Sequence, residues 1–308
     1  MSQSNDSDVS YPPLTLREKL WLLPIIAKLP FAVAVGVFRE NKGRSWSRAA
    51  NIALTRYIFD QNWDPDTLRS FIGLTTSQSY QKWAHQVKQE VLTDVLPEGA
   101  KLHWLGKRRD ARGGFVVPAR AEYFPFLQRI QKDLSPLWVI LELPSWSTLR
   151  QANAALTHLL QKGIPPSNII LGGDSAGGNL VLQLASHLLH PLSSIPPPPT
   201  LSQPLAGAVL ISPWVSYLTD APSYTRNKGK DLITVPPDWW SGLDGVCSRI
   251  LITTGELECI FDQIIESSKA ISQHVKNTTT VVEPGGVHED LIDKFATGEG
   301  GMGKITMR

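Results

Sequence analysis

The stretch "NIILGGDSAGGNL", Asn168 to Leu180, decides the fold of this 308-residue chain. Its first residues are mostly apolar, as in a buried strand. Glycines then surround a single serine, Ser175, and the amphipathic run "NLVLQLASHLLH" follows directly. The stretch therefore predicts a buried strand, a tight glycine turn and a helix in immediate succession.

Ser175 lies at the centre of that turn, in the pattern Gly173-Asp174-Ser175-Ala176-Gly177. A sharp turn from strand to helix brings the flanking side chains against neighbouring backbone, which favours glycine at both flanking positions. The serine hydroxyl is then presented at the carboxyl edge of the sheet, which is typical of a nucleophile. The Ala176 amide is expected to point to where an oxyanion would form. The alternative is a glycine-rich turn that carries no chemistry.

A serine hydroxyl is a weak nucleophile unless a neighbouring base takes its proton. Among the histidines that follow the last strands, His274 lies in an amphipathic helical pattern and His288 lies in the loop "EPGGVHEDL". This loop comes directly after the last apolar strand and would return an imidazole to the carboxyl edge of the sheet. His288 is therefore the predicted base, and the alternative is a solvated loop histidine.

An acid is expected after the preceding strand, "RILITTG", where it would hold the imidazole tautomer and stabilise the imidazolium. The segment "ELECIFD" offers Glu256, Glu258 and Asp262 at this place. Glu258 is the predicted acid, and Asp262 is the alternative acid. Each of the three could instead be only a favourable charge near the N-terminus of the following helix.

Strand and helix patterns alternate after a helical region predicted over residues 45–96. The alternation predicts an α/β chain in which a mostly parallel sheet is covered by helices on both faces. Sites in such sheets lie at the carboxyl ends of the strands. The predicted strands include "AKLHWLG", "LWVILEL", "NIIL", "LAGAVLIS", "RILITTG" and "TTTVVEPGG".

Composition limits the partners of the chain. The net charge is only +2 and the basic residues are scattered, so no nucleic acid is expected. Cys247 and Cys259 provide neither a disulfide framework nor a metal-ligand cluster. No metal and no cofactor are predicted, and the cysteines favour a reducing, intracellular setting.

The N-terminal region is less ordinary. Residues 20–38 are almost entirely apolar and would form a helix about 28 Å long, close to the thickness of a bilayer core. A transmembrane helix is disfavoured by a charge in the middle of this segment, Lys28, and by two prolines, Pro24 and Pro30. The helix could cover the rest of the protein, lie on a membrane surface or anchor the chain in a membrane.

A secretory signal is a further alternative for this segment, but the acidic residues before it do not fit a positively charged n-region. A cytoplasmic or membrane-associated location is therefore favoured over secretion. The predicted domains are a polar, disordered tail with the apolar helix over residues 1–44 and a hydrolase domain with cap elements over 45–308.

The motifs "GGDSAGGNL", "ISPW", "TTGELECIFD" and "GGVHE", in this order, resemble the hormone-sensitive-lipase group of α/β-hydrolases. The resemblance is strongest to fungal steryl-acetyl-hydrolase-like esterases, many of them encoded with secondary-metabolite pathways, and is specific over residues 147–290. It implies an α/β-hydrolase fold with a helical N-terminal cap and an ester or acetyl-ester substrate. It places Ser175 at the nucleophile, His288 at the base and Glu258 at the acid, where the family usually has Asp.

The chain departs from the family before residue 147. The family has a strand that ends in His-Gly-Gly-Gly, whose amides complete the oxyanion hole. Here "RRDARGGFVVP" keeps Gly113 and Gly114 as oxyanion candidates, but Arg112 replaces a glycine or histidine and the preceding apolar strand is absent. The central sheet is therefore expected to be one strand short, unless a segment such as "AKLHWLG" takes that place. A chain that had lost short segments would have this form.

The predicted function is a serine esterase that cleaves a carboxylic ester, an acetyl ester among the candidates, of a hydrophobic small molecule in secondary metabolism. The apolar helix and Trp239-Trp240 suggest the hydrophobic substrate, although paired tryptophans more often serve packing. The alternatives are a degenerate hydrolase-fold protein with little or no activity and a thioesterase of a polyketide pathway.

Overall fold

The computed structural model describes residues 13–40, 44–61, 63–72, 74–105, 123–134, 138–142, 148–215 and 239–299. They form two compact units. The first unit contains the described residues up to Lys88 and from Leu291 onward, and the second contains those from Gln89 to Asp290. The first unit thus groups the N-terminal helix with residues that the sequence analysis assigned to the hydrolase domain. The predicted domain boundary at residue 44 stays a prediction.

The first unit is helical. Ser45 accepts a hydrogen bond from the Arg48 amide at the start of the second helix, and Thr75 and Gln78 form a capping box at the start of the fourth. Such caps satisfy amides that have no acceptor within the helix. The four helices are α1 (Leu16–Glu40), α2 (Trp46–Phe59), α3 (Pro65–Ile72) and α4 (Thr76–Gln86).

By length and composition, α1 is the one helix of the described ranges that could cross a membrane, over Leu16–Arg39. A buried core helix or a signal sequence meets the same criterion, so this finding alone is weak support for a membrane segment. The helix extends beyond both ends of the predicted apolar segment, residues 20–38.

The second unit holds two sheets. Three strands form an antiparallel sheet in the order β1-β2-β3, and four form a parallel sheet in the order β4-β5-β6-β7. The strands are β1 (Thr93–Val95), β2 (Lys101–Leu105), β3 (Trp138–Glu142), β4 (Ile170–Asp174), β5 (Gly207–Ile211), β6 (Ile250–Gly255) and β7 (Thr278–Glu283).

The helical prediction for residues 45–96 was wrong at its end. Helix α4 stops at Gln86, Lys88 takes a left-handed φ of 55°, and β1 then pairs with β2. The β-branched residues of "LTDVL" fit an extended strand, and the pairing with β2 outweighs the local helical periodicity.

Helices alternate with the parallel strands, as the sequence predicted. Leu180 and Leu184 of the helix after β4 are buried with Leu171, Leu210 and Ile252 in the core beneath the parallel sheet. The α/β fold class is therefore confirmed. The helices are α5 (Tyr123–Leu134), α6 (Thr148–Gln161), α7 (Ala176–Leu189), α8 (Leu243–Val246), α9 (Phe261–Ser272) and α10 (Asp290–Ala296), the last of which begins at the boundary of the two units.

Among the described strands, no ladder joins β3 to β4, although one hydrophobic core includes residues of both sheets. The missing family strand was expected within the central sheet. Residues 106–122, which contain the "DARGG" segment, lie outside the described residues, so the shortage of one strand stays a prediction.

Candidate active site

Ser175 occupies a strained turn between β4 and α7. Its backbone has φ 47° and ψ −115°, a conformation that side-chain-bearing residues rarely adopt. The Ser175 amide donates to the Ile211 carbonyl at 2.9 Å, which extends the pairing of β4 with β5 by one step. A Cβ on Gly173 would lie 2.3 Å from the Gly177 backbone, so glycine is required there. These contacts present the serine hydroxyl at the carboxyl end of the sheet.

The structure brings Ser175, His288 and Glu258 together in one hydrogen-bonded chain. His288 Nε2 lies 2.9 Å from Ser175 Oγ, and His288 Nδ1 lies 3.0 Å from Glu258 Oε2. An ionised carboxylate can only accept, so Nδ1 carries the proton and Nε2 is left to accept from the serine hydroxyl. This is the tautomer that a general base toward Ser175 needs.

Glu258 is held by residues at the ends of β5 and β6. Its Oε1 accepts from the Ser212 hydroxyl at 2.6 Å, the Thr254 hydroxyl at 3.1 Å and the Gly255 amide at 2.5 Å. Burial acts to raise the pKa of Glu258, but the hydrogen bonds from His288, Ser212 and Gly255 outweigh it and hold the pKa below its usual value. The carboxylate therefore stays ionised beside the imidazole.

The loop that carries His288 is packed directly onto the end of β6. A Cβ on Gly255 would lie 2.4 Å from the carbonyl carbon of Gly286. The Leu257 amide donates to the Gly286 carbonyl at 2.8 Å. Glu258 and His288 thus belong to two segments whose backbones touch, which holds their side chains close together.

The acidic groups around His288 favour its charged form. Burial acts to lower the pKa of His288, but the hydrogen bond with Glu258 and the charges of Glu289, Glu258 and Asp174 raise it above its usual value. The imidazole side chain is still 43% exposed, so a substrate can reach it.

Ser212 links Glu258 to the loop that carries His288, a contact that sequence reasoning missed. It follows β5 with a left-handed φ of 45° and is buried. Its hydroxyl donates to Glu258 and accepts from the Glu289 amide at 3.1 Å. The signal was present in "ISPW", but only the fold shows what the serine hydroxyl contacts.

A pair of carboxyl groups that sequence reasoning also missed, Asp174 and Glu289, lies next to Ser175 and His288. Burial raises the pKa of Asp174 to about 7, and the charge of Glu289 and a hydrogen bond with it act in the same direction. The Tyr123 hydroxyl donates to Asp174 at 2.5 Å and opposes the shift. Glu289 Oε1 also lies 3.9 Å from His288 Nε2. Asp174 and Glu289 each adjoin a site residue in the sequence, and this adjacency was the available signal.

The other predicted site residues have different outcomes. Ala176 begins α7, so its amide lies in the first turn, where amides have no acceptor within the helix. Asp262 is exposed in the first turn of α9, while the carboxyl that contacts His288 is that of Glu258. Gly113 and Gly114 lie outside the described residues. In the described part of the chain, no group of His, Cys, Asp and Glu could hold a metal ion.

Comparisons with known proteins agree with this fold. Residues 144–243 match the model of a family described as "alpha/beta hydrolase fold". An acetyl-hydrolase of Streptomyces hygroscopicus is 32% identical over 92 residues, which are 30% of this chain and only 28% of that protein.

A solved structure of an esterase is similar in fold. Carboxyl esterase 2 of the mycorrhizal fungus Tuber melanosporum aligns with a TM-score of 0.50 and 15% identity, over 70% of this chain and 83% of that one. An esterase of the bacterial hormone-sensitive lipase family aligns with a TM-score of 0.49 and 16% identity, over 88% of this chain and 92% of that one. The chain has an α/β-hydrolase fold, and the resemblance to the α/β-hydrolases that its motifs predicted is confirmed.

Proposed function

We propose that the protein is a serine hydrolase that cleaves carboxylic esters. One observation carries the proposal: the continuous hydrogen-bonded chain from Ser175 Oγ through the His288 imidazole to the Glu258 carboxylate. A serine that served only as a small residue in a tight turn would need neither a strained backbone nor a neighbouring histidine held in one tautomer. The proposed roles are nucleophile for Ser175, general base and acid for His288, and positioning acid for Glu258.

In the first half-reaction, Ser175 Oγ attacks the ester carbonyl while His288 Nε2 takes the hydroxyl proton. The ester C–O bond then breaks, and the imidazolium gives that proton to the leaving alcohol. In the second half-reaction, His288 takes a proton from water, which attacks the acyl-serine. Breaking the acyl–Oγ bond releases the carboxylic acid and returns the proton to Ser175. Glu258 stabilises the imidazolium in both halves because its carboxylate stays ionised.

The negative charge on the carbonyl oxygen needs amide donors. The Ala176 amide is the proposed donor among the described residues, since it lies at the N-terminus of α7 directly after the nucleophile. The remaining donors are assigned to Gly113 and Gly114 on the resemblance alone. Because both glycines lie outside the described residues, this part of the oxyanion hole stays a prediction.

The proposed substrate is an acetyl ester of a hydrophobic small molecule. The name of the Streptomyces hygroscopicus relative, an acetyl-hydrolase, supports the acetyl group. Trp239 packs against His190, with ring centroids 4.5 Å apart, which favours a packing role for this tryptophan over a ligand platform. The hydrophobic alcohol and the role in secondary metabolism therefore rest on the resemblance to fungal esterases.

The test is turnover of p-nitrophenyl acetate by the purified full chain. We expect Ser175→Ala to lower kcat by roughly 10⁴-fold or more. Ser186→Ala, on the same helix α7, is the matched control and should keep wild-type turnover. A wild-type chain without turnover of any short acyl ester would support the degenerate alternative instead. Faster turnover of an acetyl thioester than of the oxygen ester would favour the thioesterase.

A further inference from the structure

Helix α1 is apolar on two opposite faces. The inner face packs against α2 within the first unit, where Leu22 and Ile25 are buried. The two helices approach closely: a Cβ on Gly36 would lie 2.5 Å from the Ala53 Cβ. The Tyr57 hydroxyl also donates to the Ile25 carbonyl at 3.0 Å. The inner face is therefore fully used within the protein.

The outer face of α1 is an exposed apolar stripe. Its large side chains are spaced by three or four residues or by sums of these, so at 3.6 residues per turn they lie within about 80° of arc. This stripe is the opposite side of the helix from Leu22 and Ile25. Its large members, with their exposed fractions, are Leu16 (74%), Leu20 (57%), Leu23 (60%), Phe31 (75%) and Phe38 (79%).

Basic side chains border the outer stripe. Arg17, Lys28 and Arg39 recur every three turns along one border, and Lys19 lies on the other. All four are exposed. The acidic residue of the first turn, Glu18, is turned away instead, because it accepts a hydrogen bond from Thr67 of α3 at 2.8 Å. The exposed face thus combines apolar side chains with positive charge.

We propose that the outer face of α1 binds the surface of an anionic lipid bilayer, with the helix lying in the plane of the interface. The apolar stripe would enter the headgroup region, while the bordering Lys and Arg side chains reach the lipid phosphates and carboxylates. Lys and Arg side chains can lie along the apolar stripe and still reach the lipid headgroups, since their stems are apolar and their ends are charged. The complementary charge selects an anionic surface over a neutral one.

A position across the membrane is disfavoured by three features of the same helix. Spanning would separate the inner face from α2 and would place Lys28 near the bilayer centre. Pro24 and Pro30 have no amide hydrogen, so the carbonyls of Leu20 and Ile26 lose their donors within the helix. Water at the interface can hydrogen-bond these two carbonyls, whereas hydrocarbon cannot. The interfacial position keeps the packing and hydrates these groups.

The experiment is co-sedimentation of the purified full chain with two kinds of vesicle. One is pure phosphatidylcholine, and the other is equal parts phosphatidylcholine and phosphatidylserine. We expect strong binding to the second and weak binding to the first. The charge variant Arg17→Gln/Lys28→Gln/Arg39→Gln should bind the anionic vesicles on the order of 100-fold more weakly, at roughly fivefold per charge.

The apolar variant Leu23→Gln/Phe31→Gln should bind at least about tenfold more weakly, since two exposed side chains lose their favourable transfer. Leu192→Gln, an exposed leucine of the second unit, is the matched control and should bind as wild type does. Turnover of a soluble ester should be unchanged in all three variants, so this test is separate from that of the proposed function.

Four results would overturn the proposal. They are no binding to either vesicle, equal binding to both, binding that the charge and apolar variants retain, and membrane association that resists alkaline carbonate, as a spanning helix would. Self-association that the apolar variant abolishes, without vesicle binding, would assign the stripe to a second copy of the chain instead.

Discussion

Replacing Ser212 by alanine removes the hydroxyl that joins Glu258 to the loop that carries His288. Glu258 Oε1 loses one of three donors and keeps Thr254 at 3.1 Å and the Gly255 amide at 2.5 Å. A hydrogen bond to a charged group contributes about 1.5–3 kcal/mol. If most of this is expressed when the imidazolium forms, kcat falls roughly 10- to 100-fold, at about 1.4 kcal/mol per factor of ten.

KM should change little, because Ser212 is buried behind Glu258 and meets no substrate in the proposed mechanism. The Glu289 amide also loses its acceptor, which should lower the free energy of unfolding by about 1–3 kcal/mol. The assay is kcat and KM for p-nitrophenyl acetate, with thermal unfolding measured in parallel.

Ser268→Ala is the matched control for this experiment. Ser268 is also a buried serine, and its hydroxyl hydrogen-bonds Thr280, which is not part of the candidate site. The control should lose stability without losing kcat. If Ser212→Ala keeps kcat within about twofold of wild type, the reasoning that Ser212 positions the acid is refuted.

Three further results are expected. Gly255→Ala should displace the loop that carries His288, since the new Cβ would lie 2.4 Å from the Gly286 backbone, and should lower kcat/KM about 100-fold. The control Gly245→Ala has open space around its Cβ and should keep wild-type kinetics. Equal kinetics of the two variants would contradict the packing argument. The acid limb of kcat/KM against pH should lie above 6.5, because His288 must be neutral and its pKa is raised; a limb below 6.5 would count against that base. The pKa of Asp174 is about 7 in the folded protein and 3.8 ordinarily. Between these two pH values the folded state keeps a proton that the unfolded chain has lost. The free energy of unfolding should therefore decline as pH rises from 3.8 to about 7. Asp174→Asn should lessen this decline in chemical denaturation series, and an unchanged slope would contradict the assignment.

The sequence predicted the parts of the fold that depend on local pattern. The strand, turn and helix around Ser175 follow from apolar runs, flanking glycines and helical periodicity, all of which act over a few residues. His288 and Glu258 could be chosen because each follows an apolar strand, and parallel strands bring their carboxyl ends to one edge. The structure then places His288 within hydrogen-bond distance of both Ser175 and Glu258.

What the sequence did not reveal depends on contacts between distant segments. The three-residue strand β1 is stabilised by pairing with β2, and its own residues did not distinguish it from the end of a helix. Ser212 matters because of a left-handed turn that directs its hydroxyl to Glu258, and no local pattern predicts that direction. The pair of Asp174 and Glu289 likewise forms only when the turn at Ser175 meets the loop that carries His288.

The reactivity of Ser175 is tested most directly by labelling the full chain with a fluorophosphonate, followed by intact mass measurement and peptide mapping. We expect one adduct per chain, on the peptide that contains Ser175, and its loss in Ser175→Ala. His288→Ala should label far more slowly, because the hydroxyl then lacks its base. An adduct on another residue, or labelling of Ser175 that is as fast without His288, would contradict the claim that this serine is an activated nucleophile.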